Sequence, residues 1–479
     1  MKTLMSLLLV LATAGWVAAQ QAPFATQEVP ISSQDRVYSA DQTSNTVSVI
    51  DPASNRLLGV IRLGDPVPAS LSPLYRGALM VHGLGYSPDG KTLAVVSIGS
   101  NSVTLIDTST NSVKGVVYVG RAPHEAFFTP DGGEIWVTVR GEDYVSVIDP
   151  VAIEETFRIQ LANGPGMTMF SPDGTYGFVC SSFTPELAVV EVQSHRVVKR
   201  IPQVSPFCPN IAVSPENDEV WITLKDAGKV QVFSAKPPFD QLAVLETGPI
   251  TNHVNFAKNR NGTFAYVTVG GLNQVKVYRR RGAHPEFVTT IPVGPLPHGV
   301  WPSGDGTRVY VALENGGAVQ AIDTIEDRVI SQIPIGQTAQ ALVYVPNAVP
   351  NGSGTQNLQP LGEAAETTKV QLRGTGGASG PQATVAVNSL GLVDLLEIAA
   401  SGLDPNSLYR LWLADSNRPP FGNLVPIAML KTNPDGGAVA QTIGPLKSVA
   451  PPGTALFPKW YLVVTRDGSQ EPVLFETEK

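Results

Sequence analysis

The chain has 479 residues, 43% hydrophobic and 15% charged, with a formal net charge of −8. That length leaves room for more than one domain, and the acidic balance excludes a nucleic-acid scaffold, which needs dense Lys and Arg. Two cysteines and no Cys-x-x-Cys-His segment exclude a c-type haem. Lys2 precedes an apolar run from Met5 to Val10 and onward, and Val17-Ala18-Ala19 offers small residues for cleavage. Residues 1–19 therefore read as a signal peptide, which places the protein in the periplasm or outside the cell. The run is too short to anchor, and no later apolar stretch reaches spanning length.

From residue 36 to 346 one unit recurs. HGLGYSPDGKTLAVVSIGSNSVTLID begins at His82, and HEAFFTPDGGEIWVTVRGEDYVSVID begins at His124. Weaker copies start at Met167, Asn210, His253 and His298, at offsets of 42 to 45 residues. Each unit alternates four β-rich runs with turn signals, the first a Pro-Asp-Gly or Gly-Asp-Gly reversal in which glycine accepts positive φ. Four strands in this length form one propeller blade. The first unit enters at its second strand, Arg36-Val37-Tyr38-Ser39, and the missing strand stands at Gln340–Val345. Six complete units plus one divided unit predict seven blades, closed by a strand from the far end, with no open sheet edge.

The tetrapeptide Tyr266-Val267-Thr268-Val269, its variants Trp136-Val137-Thr138-Val139 and Trp221-Ile222-Thr223-Leu224, and the Ser-Pro-Asp-Gly turns resemble the YVTN-repeat β-propeller family over residues 36–346. The resemblance implies a propeller fold and export, and little about chemistry.

Residues 347–367 are rich in Asn, Gly, Gln, Pro and Ala and read as a flexible linker. Residues 368–479 resume alternating β runs without the repeat, which predicts a β-sandwich. Its segment Tyr409–Ala414 and closing hairpin resemble the extracytoplasmic domains of anti-sigma-K-type regulators. The whole is predicted to be all-β, a seven-bladed propeller followed by a sandwich.

Four of six histidines occupy what reads as one repeat position: His82, His124, His253 and His298. Inner strands start at one mouth of the channel, so these side chains become neighbours. The other blades place Met167, Asn210 and Gln340 there, and Glu125 and Asn252 flank two of the histidines. Two readings follow. The residues line a generic ligand mouth as inherited packing, or the histidines hold Cu, Zn or Fe. The arrangement resembles the propeller of nitrous oxide reductase, but only four blades supply His and the C-terminal domain has no Cys or His. A longer link, residues 64–81, ends at His82 and brings Tyr75 and Arg76 as overhanging mouth residues. Cys180 and Cys208 fall on the same side of adjacent blades, which suggests a disulfide; two free thiols and ligation by Cys208 are the alternatives. Arg279, Arg280 and Arg281 read as a solvated loop, and His195 and His284 as solvated.

No catalytic triad, nucleophile elbow or phosphate loop is present. The favoured expectation is a non-enzymatic binding module with a protein or small molecule at the channel face. The alternative is a metal-binding propeller with hydrolase, lyase or oxidoreductase chemistry.

Overall fold

The computed structural model describes residues 29–64, 79–280, 284–362, 367–374, 380–389, 393–444, 446 and 459–476. The signal-peptide region 1–19, Tyr75, Arg76 and Arg281 lie outside them. None of the described residues is α-helical, and no helix among them is long and apolar enough to cross a membrane.

Seven four-stranded antiparallel sheets form the propeller. Blade one joins Arg36–Asp41, Thr46–Asp51 and Arg56–Arg62 to the closing strand Ala339–Val345, paired antiparallel from Arg36 opposite Val345. Blades two to seven begin at inner strands Val81–Tyr86, Pro123–Phe128, Pro165–Phe170, Ile211–Val213, Thr251–Asn259 and Pro297–Pro302.

The tetrapeptide core has a physical task in this ring. Its aromatic residue is wholly buried and packs on the inner strand of the next blade: Trp136 on Phe170, 5.0 Å between ring centroids, and Trp221 on Phe256, 5.6 Å. Its threonine hydroxyl donates across the same seam, Thr138 to the Gly166 carbonyl (2.9 Å), Thr223 to Asn252 (2.6 Å) and Thr268 to His298 (2.7 Å). Apolar filling and satisfaction of a carbonyl left outside the ladder thus come from adjacent positions of one strand.

Two outer latches correct the solvated reading of the basic loop and of His195. Trp136 Nε1–H donates to Glu134, whose carboxylate meets His195 Nε2 of the next blade at 2.9 Å. Trp221 repeats this with Glu219, and Arg280 Nε binds that carboxylate at 2.9 Å while its guanidinium also pairs with Glu216 and Asp218. Arg279 lies over the Phe264 ring.

Cys180 and Cys208 form a disulfide with 6.0 Å between Cα atoms. It ties the second strand of blade four to the entry of blade five, whose inner strand has three residues. Replacing both cysteines with serine is expected to cost about 2–4 kcal/mol, since the bond closes a 28-residue separation. Denaturant unfolding with and without reductant checks this; identical curves would remove the disulfide from the stability of the ring.

The segment after the propeller is not a free linker. Ala348 and Val349 are buried, Asn111 Nδ2 donates to the carbonyls of Gly354 and Gln356 (2.9 Å each), and Val60 and Gln359 exchange both backbone hydrogen bonds. Composition suggested flexibility, but polar side chains of blades one and two satisfy this backbone and strap it down.

The C-terminal region forms one eight-stranded sheet rather than two packed ones. Its order is Leu424–Lys431, Leu408–Ala414, Tyr461–Arg466, Pro472–Glu476, Thr367–Arg373, Gln382–Ser389, Asp394–Ser401, Ala438–Gly444. The end strands approach each other, with Thr442 Oγ1 donating to the Ile427 carbonyl at 2.8 Å, so the sheet is nearly closed as a barrel around Leu372, Leu396, Leu411 and Leu462. The barrel is docked on the propeller. Ser401 Oγ donates to the Gly271 carbonyl (2.5 Å), Asn388 Nδ2 to Thr338 Oγ1 (3.0 Å), and Lys369 Nζ to the Gly316 carbonyl. Ala399 packs on Ile250 and Leu296. These propeller residues precede inner strands or lie in turns after second strands, and Asn433 Nδ2 reaches the Lys225 carbonyl of blade five (3.5 Å), so the barrel sits on the histidine side, over blades five, six, seven and one.

Candidate functional site

A β-bulge builds the channel mouth. In blade three Pro123 pairs with Val139 and Ala126 with Val137, so His124 and Glu125 together face Thr138. The same shift sets His82 and Gly83 in blade two, Asn252 and His253 in blade six, and His298 and Gly299 in blade seven. Two residues opposing one re-aim side chains out of the ladder, and the threonine hydroxyl repairs the gap: Thr138 accepts from the Glu125 amide (3.2 Å) and Thr268 from the His253 amide (2.8 Å).

The register corrects the single repeat position expected for four histidines. His82, His124 and His298 take the first place of the bulge, as does Gln340 in the closing strand. His253 takes the second, where blade three has Glu125 and blade four has Met167. Counting offsets cannot reveal this shift, because a bulge changes facing without changing repeat length.

The imidazoles form two pairs, His82 with His124 (ring centroids 4.3 Å) and His253 with His298 (4.5 Å). All four are buried. His124 Nδ1–H donates to the Gly166 carbonyl and His298 Nδ1–H to the Gln340 carbonyl, 2.7 Å each, which leaves Nε2 of each ring as the free acceptor. Burial, with Arg140 and Lys225 nearby, lowers the His82 pKa to about 3. Burial and positive neighbours act likewise on His253, also to about 3, and hold His124 and His298 well below the ordinary value. Neutral imidazole is the ligating form.

Among the described residues, His82, His124 and Glu125 bring three ligand atoms within 4.8 Å of one another. His82 Nδ1 and Glu125 Oε1 stand 3.9 Å apart, both buried and both without a hydrogen-bond partner. That is too far for a direct hydrogen bond. Two bonds of about 2.0–2.2 Å from one ion would span it. Burial raises the Glu125 pKa to about 8, offset in part by a hydrogen bond from the Leu84 amide. His253 and His298 do not join this set, so the candidate metal site narrows from four histidines to two and a carboxylate.

The other predicted mouth residues divide by role. Asn210 Oδ1 accepts from the Val254 amide (2.9 Å) and Asn252 Nδ2 donates to the Pro297 carbonyl (2.7 Å), both tying blades together. Met167 is buried in the core. Gln340 Nε2 donates to Glu314 (2.8 Å), whose other oxygen lies 4.0 Å from His298 Nε2. Sequence reasoning missed Glu314 and the barrel residue Glu397, which is buried, accepts from Gln441 Nε2 (2.6 Å) and lies close enough to Glu314 for the two carboxyls to repel. It missed Arg140 and Lys225 as well. Glu314 and Lys225 follow directly on the second strands of their blades, a position that always faces this mouth; Glu397 had no such signal.

No protein-family model matches the chain, and no curated protein sequence matches it. Solved structures similar in fold include hydrazine synthase of Kuenenia stuttgartiensis (18% identity, TM-score 0.50, 59% of this chain and 90% of that one). The periplasmic gluconolactonase of Pseudomonas aeruginosa is similar at 18% identity and TM-score 0.52, covering 65% of this chain and 99% of that one. A functionally unknown protein from Desulfotomaculum acetoxidans is similar at 12% identity and TM-score 0.54, over 64% and 98%. At these identities the likeness shows the propeller fold alone.

Proposed function

We propose that the chain is an exported propeller that binds a small molecule at its channel mouth, with a divalent first-row metal ion held by His82, His124 and Glu125. The observation that carries this is the buried, unpartnered His82 Nδ1 facing the unpartnered Glu125 Oε1 across 3.9 Å, with His124 beside them. Buried polar groups are otherwise satisfied in native proteins, because an unmade hydrogen bond costs its full desolvation. Two imidazoles and a carboxylate suit Zn or Fe, and three protein ligands leave a position for a bound molecule. Export is supported by the N-terminal sequence pattern and by the disulfide.

Chelator-treated protein is expected to take up one equivalent of Zn(II), read by calorimetry and elemental analysis. His124→Ala or Glu125→Gln lowers the affinity roughly 100-fold or more, since losing a coordinate bond exceeds the 10–100-fold cost of disturbing a supporting residue. His253→Ala retains uptake. Absence of stoichiometric uptake, or uptake indifferent to His124, would overturn the proposal.

A further inference from the structure

Several cations of the propeller have anionic partners, among them Arg158 with Glu155, Arg200 with Glu186, Lys229 with Glu246 and Arg280 with three carboxylates. Two at the mouth do not. Arg140 directly follows the second strand of blade three and Lys225 that of blade five. Among the described residues neither side chain makes an ion pair or hydrogen bond, and Arg140 Nε is buried without a partner. Their contacts are aromatic instead. The Arg140 guanidinium lies 5.0 Å from the Phe207 ring centroid and 5.5 Å from that of Phe183, and Lys225 Nζ lies 5.9 Å from Phe207.

Two like charges are thus gathered on one phenyl ring, an arrangement that repels itself unless an anion completes it. Both charges act inward. Arg140 disfavours protonation of His82 and His124, and Lys225 that of His82, His253 and His298. Phe183 is 54% exposed, an apolar surface in the turn between these cations and therefore available to a ligand. Asp226 is the one carboxylate whose charge acts on Arg140. Asp226 acts on Lys225 as well, and Glu397, which also faces Lys225, is kept protonated by burial near neutrality, so the two cations retain a single net positive charge, which matches a monoanion better than a phosphate ester.

We propose that the arc Arg140, Phe183, Phe207 and Lys225 binds a small organic monocarboxylate, its carboxylate held by the two cations and its apolar body by the two rings. Guanidinium matches a carboxylate bidentately, and its stacking on aromatic faces pre-organises the fork. The assignment rests on the mouth being the binding end of the propeller; it does not require the ion.

Benzoate is the probe, titrated into the full chain by calorimetry at pH 7 and low salt, with benzyl alcohol and phenyl phosphate as comparison ligands. Benzoate is expected to bind saturably, at least tenfold tighter than either, and to weaken as salt rises. Arg140→Gln and Lys225→Gln each weaken benzoate roughly 10- to 100-fold, the range for hydrogen bonds to charged groups. The Lys225 variant serves if the Arg140 variant fails to fold. Equal binding of benzyl alcohol would reduce the arc to an apolar surface, tighter phenyl phosphate would overturn the carboxylate class, and no saturable binding would overturn the site. Both titrations are run on chelated and zinc-loaded protein. Zinc uptake with no benzoate binding defeats this inference alone; saturable benzoate binding by unsubstituted protein that takes up no zinc defeats the metal reading alone.

Discussion

Replacing Gly83 with alanine is expected to lower stability by about 1–3 kcal/mol, the cost of overpacking, and to abolish zinc uptake. A Cβ at this position would stand 2.3 Å from the His124 carbonyl oxygen and 2.7 Å from Glu125 Oε2. The carbonyl is backbone within a bulge, so relief requires moving the strand that carries two of the three candidate ligands. Gly299 holds the equivalent place in blade seven, where a Cβ would meet the Gln340 carbonyl at a milder 2.9 Å. Gly299→Ala should therefore cost less and leave zinc uptake intact. Thermal unfolding and zinc calorimetry on the two variants decide it; equal effects would show that close approach at Gly83 has no special bearing on the site.

The apoprotein is expected to be most stable near pH 6, with losses on both sides, and the sign of each follows from the buried groups. Burial raises Asp41 to about 7 and Glu125 to about 8, and burial with the adjacent Glu314 raises Glu397. The folded chain keeps these protons where the unfolded chain has released them, so their contribution is present below about pH 4 and is lost as pH rises through 7 to 8. The four channel histidines act oppositely. Unfolded imidazoles take protons below about pH 6.5 while the folded ones, His82 and His253 at about 3 and His124 and His298 well below the ordinary value, refuse them, so stability falls as pH falls. Between about pH 4.5 and 6.5 the two sets nearly cancel; below about 4 the histidines act unopposed and above 7 the carboxyls do. Glu397→Gln, which removes one titrating carboxyl, should flatten the alkaline limb. A stability plateau from pH 6.5 to 8.5 in chelated protein would contradict this account. Zinc should also reduce the alkaline loss, because a coordinated Glu125 is already deprotonated.

Glu397 carries a further consequence for the assembly of the two domains. It comes from a barrel strand, yet it is buried against Glu314 of blade seven and beside a histidine pair of the channel. The barrel therefore contributes chemistry to the mouth as well as covering part of it, and the strapped segment 347–362 sets where the barrel begins.

The seven blades, the ring-closing strand and the location of the mouth were legible in the residues, because repetition of turn chemistry and strand alternation every 42 to 45 positions is a local property. The pairing of Cys180 with Cys208 was legible as one of few options, since repeat register placed both on one side of adjacent blades. The tertiary structure alone decided which histidines meet. One bulge sets two residues against one threonine, and His253 takes its second place where His124 takes the first, so the two face differently. It alone brought Glu397 to Glu314 and gathered Arg140 and Lys225 at Phe207, because those contacts join residues 18 to 83 positions apart and no local pattern says which of them will meet. Composition also misjudged the segment after Pro346: its polarity says that the backbone needs hydrogen bonds, and only the folded ring shows Asn111, Arg36 and Val60 in place to supply them.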